Sequence, residues 1–359
     1  MTSPDRAMSA ASEALLAALP AEGRELACFP FSDPARTRWS YLPGPHPGIA
    51  LSDLGAPARK AAHRLLATAL SRPAFAQAVT IMALEEVLDI DEDGQVGRNS
   101  DGYHVAVYGT PGDDSWAWGF EGHHLSVNVT VTDGQPLAAP LFMGANPAQV
   151  RHDGQVVIAP LLREEELARA IIAALPARLR EQAAIAGPAP GDIITATAPA
   201  AGGTLQPPGV PASRLPAQGR DLLRLLLRTY LGRLAPHLAS AEHDRITGSD
   251  PAFAWAGGQG EGEPSYYRIQ APGLLIEYQN SQRGSGHAHT VIRRPGSDFG
   301  TYPPAPASST PLRAAGRPDV IRRPNGRTTR TKRAGTAPGA LIVDPARPCV
   351  SAGRSGRTR

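Results

Sequence analysis

A short stretch that returns 161 residues later constrains this chain more than any other feature. Gly48-Ile49-Ala50-Leu51-Ser52-Asp53-Leu54 is matched by Gly209-Val210-Pro211-Ala212-Ser213-Arg214-Leu215. The agreement continues through Arg59/Arg220, Leu65/Leu226, Leu66/Leu227, Thr68/Thr229 and Leu70/Leu231. Recurrence at a fixed spacing predicts two related structural units, an internal duplication. In each copy the serine, Ser52 or Ser213, is expected to cap an amphipathic helix. The apolar spacing of that helix runs Leu65, Leu66, Leu70 in the first copy and Leu222, Leu223, Leu226, Leu227, Tyr230 in the second.

Each helix then leads into β-type sequence. In the first copy Tyr103–Tyr108 reads as a strand, 109–114 as a turn and Trp116–Thr132 as one long strand. Asp133-Gly134 is a hairpin turn, and Gln135–Met143 returns. The second copy offers Phe253–Ala256, Tyr266–Gln270, Leu274–Asn280 and Ala288–Arg293. Further helices are expected over 74–89, 163–175 and 177–186. The pattern predicts an α+β fold: a first helix-plus-antiparallel-sheet unit over 1–186, a Pro/Gly/Ala-rich linker over 187–212 and a second unit over 213–300. No glycine-rich phosphate loop follows a strand, which argues against a doubly wound nucleotide-binding fold.

Charge separates the end of the chain from the rest. From Thr301 onward lie 12 of the 36 Lys and Arg but only 2 of the 33 acids, leaving 24 cations against 31 acids in the first 300 residues. The mildly acidic body argues against a specific nucleic-acid-binding core. The Pro- and Arg-rich stretch 301–359 has no apolar periodicity with which to offset its ordering entropy, so disorder is expected there, as a polycationic arm or an out-of-frame extension. Cys28 and Cys349 form neither a disulfide framework nor a zinc spacing. No signal-peptide pattern and no long apolar run occurs, so no membrane span is expected and the expected location is the cytoplasm.

Chemistry concentrates in Glu121-Gly122-His123-His124 and His287-Ala288-His289. In a strand, residues two apart share a face. Glu121 and His123 should then point together, as should His287 and His289. If the two segments meet, His123, His287, His289 and Glu121 suit a divalent transition metal, zinc or iron. Nitrogens spread beyond about 6 Å could not share one ion with bonds near 2.0–2.1 Å. His124, on the other face, would bond the backbone or line a pocket, and His104 reads as a buried structural residue. His46, His63, His152, His237 and His243 read as surface or capping residues.

Glu277 sits in an apolar run, where a lone carboxylate is costly. It is a candidate general base, with a salt bridge to Arg268 as the alternative. Glu85 and Glu86 read as solvated residues ending a helix. A small-molecule site could draw on Arg36 or Arg38 to hold an anion, together with Trp118, Tyr267, Arg268, His104 and His124. No serine-hydrolase elbow is present.

Several segments together resemble one bacterial family. They are Arg36-Thr37-Arg38-Trp39-Ser40-Tyr41-Leu42-Pro43, His104–Gly109, Trp118–Ser126, Gly144-Ala145-Asn146-Pro147, Tyr266–Ile269, Leu275–Asn280 and His287-Ala288-His289. The chain resembles the DUF3500 family over roughly 31–300, with Ile292 where relatives carry Trp. The resemblance implies no activity and assigns no catalytic residues. Two functional expectations stand: a metal-dependent enzyme of hydrolase type acting on a small polar substrate, or a non-catalytic ligand-binding module whose histidines are structural.

Overall fold

A computed structural model describes residues 4–94 and 96–300. The basic tail, for which disorder is expected, lies outside the described residues. Among these residues the helices are α1 (Pro4–Ala18), α2 (Ala21–Ala27), α3 (Ala56–Ala69), α4 (Arg72–Asp91), α5 (Leu162–Ala174), α6 (Ala177–Ala183), α7 (Ala217–Leu231) and α8 (Pro236–Ile246). The first half of the chain supplies strands β1 (Cys28–Phe29), β2 (Ile49–Ala50), β3 (His104–Tyr108), β4 (Ser115–Gly122), β5 (Leu125–Thr132) and β6 (Gln135–Ala145). A separate hairpin pairs β7 (Val150–His152) with β8 (Gln155–Ile158). The second half adds β9 (Val210–Pro211), β10 (Ala252–Gly257), β11 (Ser265–Ala271), β12 (Leu274–Gln282) and β13 (His287–Arg293). The fold is α+β.

One sheet unites both halves in the order β1-β3-β4-β5-β6-β13-β12-β11-β10-β9, with β2 also paired to β3. Each half contributes an antiparallel meander, and the two join where β6 meets β13, antiparallel, with Gly144 opposite His289 and Phe142 opposite Val291. The matched segments open their halves alike. Gly48 and Gly209 both adopt positive φ, and an added Cβ would collide with the carbonyl of Val105 or Phe253. Next come 3-10 turns at Leu51–Asp53 and Ala212–Arg214, then α3 and α7. Arg59 donates to the Leu54 carbonyl at 3.3 Å and Arg220 to the Leu215 carbonyl at 3.2 Å, the same bond at the same offset.

The serines do not cap these helices. Both lie inside the 3-10 turns; α3 follows Gly55 and α7 follows Pro216, without a side-chain cap bond. Ser213 instead donates its hydroxyl to Asp250 at 2.5 Å. Ser71 does cap, accepting from Ala74 N at 3.3 Å to start α4. The long strand expected over 116–132 is two strands. It folds back at His123-His124, where Gly122 pairs with Leu125 and His124 takes φ +65.

Alternation of side chains gives the sheet two faces. Val105, Val107, Trp118, Phe120, Val127, Leu141, Ile276 and Ile292 enter the main core with Leu65, Leu66, Ile81, Ile171 and Leu226 of the helices. On the opposite face Phe142 and Val291 pack with Trp39, Tyr41, Ile193 and Phe299, which arrive from loops. The segment expected as a linker is a strap over this face. Glu277, fully buried, accepts from Ile194 N (2.6 Å), Thr195 N (3.2 Å), Thr195 Oγ1 (2.5 Å) and Tyr266 OH (2.9 Å). Gln270 anchors Leu205 in the same way. A carboxylate bonded by four donors meets the cost of burial, and it anchors the strap to the sheet.

Candidate metal centre

The β4–β5 turn is fixed by its backbone before any side chain contributes. Tyr103 OH donates to the His123 carbonyl at 2.7 Å. His124 N donates to the Tyr41 carbonyl at 3.1 Å, and the His124 carbonyl accepts from Gly144 N at 2.7 Å. This lays the His124 ring over Gly144, beside β13. His287 and His289 alternate with Ala288 and Thr290, so both project from the loop-covered face, as the two-residue spacing predicts. His124 is 2 % exposed, His287 9 % and His289 3 %.

Three imidazoles therefore meet at the seam. His124 Nε2 lies 2.7 Å from His287 Nε2. One nitrogen from each of His124, His287 and His289 lies within 4.8 Å of the others, inside the spread that side-chain rotation can close around a single ion. Carboxylates stand behind two of the rings. His289 Nδ1 donates to Asp192 Oδ1 at 2.7 Å, and Asp192 Oδ2 accepts from Tyr41 OH at 3.0 Å. That bond leaves Nε2 as the free nitrogen of His289, and it is buried with no hydrogen-bond partner. Glu85 Oε1 lies 3.6 Å from His124 Nδ1 and 2.7 Å from His123 Nδ1. A carboxylate behind an imidazole fixes its tautomer and raises its basicity toward a metal.

Electrostatics keep His124 and His287 ready to donate lone pairs. Burial holds His124 well below the usual imidazole range, reinforced by His123, His289, His287 and Arg98. Burial, then His289 and His123, push His287 down to about 3, with Asp192 opposing. Burial alone would raise the Asp192 carboxyl, but the bonds from His289, Ile193 N and Tyr41 hold it below its ordinary value. Neutral imidazoles are the form that binds metals.

Of the expected ligand set, His287 and His289 come together, joined by His124 in place of His123. His123, displaced by the turn, bonds Glu85 and stands at the side of the cluster. Glu121 lies elsewhere because β4 ends at Gly122, before the histidines. Its Oε1 accepts from Ser126 at 2.7 Å, and its Oε2 lies 3.7 Å from His46 Nδ1. His46 is buried rather than a surface residue. His104 is in register with Glu121, and its ring sits 5.6 Å from that of His46. Its Nδ1 is buried without a hydrogen-bond partner.

The expected pocket residues disperse. Arg36 is buried, donating to the carbonyls of Phe31 (3.0 Å) and Phe299 (2.8 Å), while Arg38 is exposed. Trp118 belongs to the main core, and Tyr267 hydrogen-bonds Tyr230 and the Glu164 carbonyl. Arg268, fully buried, donates to the Pro207 carbonyl.

Glu85, expected to be solvated at a helix end, is instead buried inside α4, and Asp192 is not among the residues the sequence singles out. Glu85 is 3 % exposed and continues the buried stripe Ala78, Ile81, Met82, Leu88 of α4, a legible helical signal. Asp192 lies in the strap, where no periodicity marks it.

A cleft of about 270 Å³ opens beside the cluster, lined by Glu85, Arg98, Asn99, Tyr103, His104 and His123 among others. None of the described helices is long and apolar enough to cross a membrane. No curated protein and no solved structure matches the chain. The family described as "Protein of unknown function (DUF3500)" matches residues 2–301, and the chain belongs to that family.

Proposed function

We propose that this protein is a metal-dependent enzyme of hydrolytic type, acting on a small polar molecule. His124, His287 and His289 would hold one divalent transition ion, zinc or iron. The observation that carries this reading is the His289 ring, whose Nδ1 is committed to Asp192 while its Nε2 is buried and unpaired. An unsatisfied buried nitrogen is costly, and a lone pair held beside two further imidazoles is what a metal ligand requires. Three histidines leave a coordination position for water, whose pKa such an ion brings toward neutrality.

The chain's own groups supply the rest. Asp192 and Glu85 orient the ligand rings. His123, partly exposed at the edge of the cleft, keeps its Nδ1 on Glu85, which leaves Nε2 to take or give a proton. Glu277 has no part in the reaction, since its four hydrogen bonds tie down the strap.

Elemental analysis of the purified full-length protein tests the proposal. About one transition ion per chain is expected, lost in His289→Ala and in His287→Ala and kept in Glu121→Gln. Wild-type protein that takes up no zinc, iron or cobalt after dialysis against each would refute it.

A further inference from the structure

The cleft beside His123 carries a cation whose hydrogen-bonding capacity is not used up. Arg98 lines it, anchored by its backbone N to Asp89 at 2.9 Å. Its guanidinium meets Glu92 through Nε (3.0 Å) and Nη2 (3.4 Å), and its Nη1 lies 3.4 Å from His123 Nδ1. That last contact is not a hydrogen bond of the ordinary kind. A neutral imidazole nitrogen carries either a proton or a lone pair. His123 Nδ1 is 2.7 Å from the Glu85 carboxylate, so it carries the proton and donates there. Arg98 Nη1 therefore faces another donor and has an N–H to give to something else.

Arg283 also bonds Glu92, at 2.8 Å, so that carboxylate is shared between two guanidinium groups. Glu85 is the one carboxylate lining the cleft among the described residues, and it already serves His123 and His124. Lining by Gly97, Asn99 and Gly102 leaves room for a bound group at Arg98.

We infer that the substrate carries a small oxyanion, a carboxylate or a phosphate group, held by Arg98 while an adjoining atom reaches the metal. This rests on the metal reading and narrows it to acidic small molecules. A part-buried arginine with N–H groups left unbonded in a cleft is suited to oxyanions because its hydrogens lie in a fixed plane. Bound there, the anion accepts from Nη1 and sits beside the free Nε2 of His123.

Cobalt(II) gives a readout independent of turnover. Full-length protein, stripped with chelator and reloaded with cobalt(II), is titrated with inorganic phosphate and separately with acetate while its visible absorption is followed. A saturable spectral change with at least one of the two anions is expected, and whichever binds tighter identifies the class. Arg98→Gln should weaken that binding roughly ten- to hundredfold while leaving the anion-free cobalt spectrum as it was. Glu92→Gln cuts the same ion pair but keeps the guanidinium, so it should bind the anion at least as well as wild type. If it fails like Arg98→Gln, the arginine is only a brace for its loop and the inference falls. A cobalt spectrum indifferent to both anions overturns the inference alone, whereas no cobalt spectrum at all overturns the metal reading beneath it.

Discussion

Gly144 lies under the histidine cluster, and adding a single methyl group there tests the geometry directly. An ideal Cβ on Gly144 would stand 2.7 Å from His124 Cδ2, 3.1 Å from His289 Cδ2 and 3.2 Å from the Ala288 carbonyl oxygen. Carbon atoms prefer about 3.5–4.0 Å, so the His124 ring must retreat by roughly 1 Å. It has little freedom to do so, with Nε2 2.7 Å from His287 and Nδ1 facing Glu85. Overpacking of this kind costs about 1–3 kcal/mol, which for a body of this size lowers the melting temperature by roughly 2–5 °C. Moving a ligand should also weaken metal binding about tenfold or more. The assay is thermal unfolding of Gly144→Ala with and without saturating zinc. Metal-dependent stabilisation scales as RT ln(1 + [L]/Kd), so a tenfold loss removes about 1.4 kcal/mol of it. Gly203→Ala, where a Cβ meets nothing within 4 Å, is the control. A Gly144→Ala protein that melts like wild type and gains as much from zinc would refute the packing described for His124 and His289.

Three further outcomes follow from the same contacts. Asp192→Asn should lower metal affinity about ten- to hundredfold with the fold retained, read by competition with a chromogenic chelator, because His289 loses the carboxylate that sets its tautomer. Glu277→Gln should destabilise the protein by about 2–4 kcal/mol in urea unfolding, since an amide cannot accept from all four donors now around the carboxylate; metal content should not change, and a variant as stable as wild type would refute the anchoring role. In metal-free protein His124 and His287 stay neutral at pH values where the unfolded chain protonates them. The unfolded state then binds more protons, so stability should fall as pH drops from about 6.5 toward 3, by about 1.4 kcal/mol per pH unit for each group. A flat pH profile over that range would contradict their burial.

The sequence made the meanders and the strand bearing His287 and His289 legible, because period-2 alternation and turn residues are local signals. It did not reveal the turn at His123-His124. Neither residue is a usual turn former, and apolar residues on both sides let 116–132 pass for one strand. Read as one strand, the segment put Glu121 and His123 on a shared face and left out His124, the ring that the reversal brings to His287 and His289. Glu85 shows that a charged residue on an apolar helical stripe is informative when partners come from elsewhere in the fold. Asp192 and Arg98 occupy irregular segments, and only the tertiary path of the chain brings them to the histidines.

Because β6 and β13 meet at the centre of the sheet, the imidazoles are contributed by both moieties of the polypeptide: His124 by the earlier one, His287 and His289 by the later. Neither moiety by itself supplies all three rings of the proposed site. An ion bound across that join would act as a rivet, so a chain nicked within 187–191 and then diluted should stay associated with zinc and come apart with chelator.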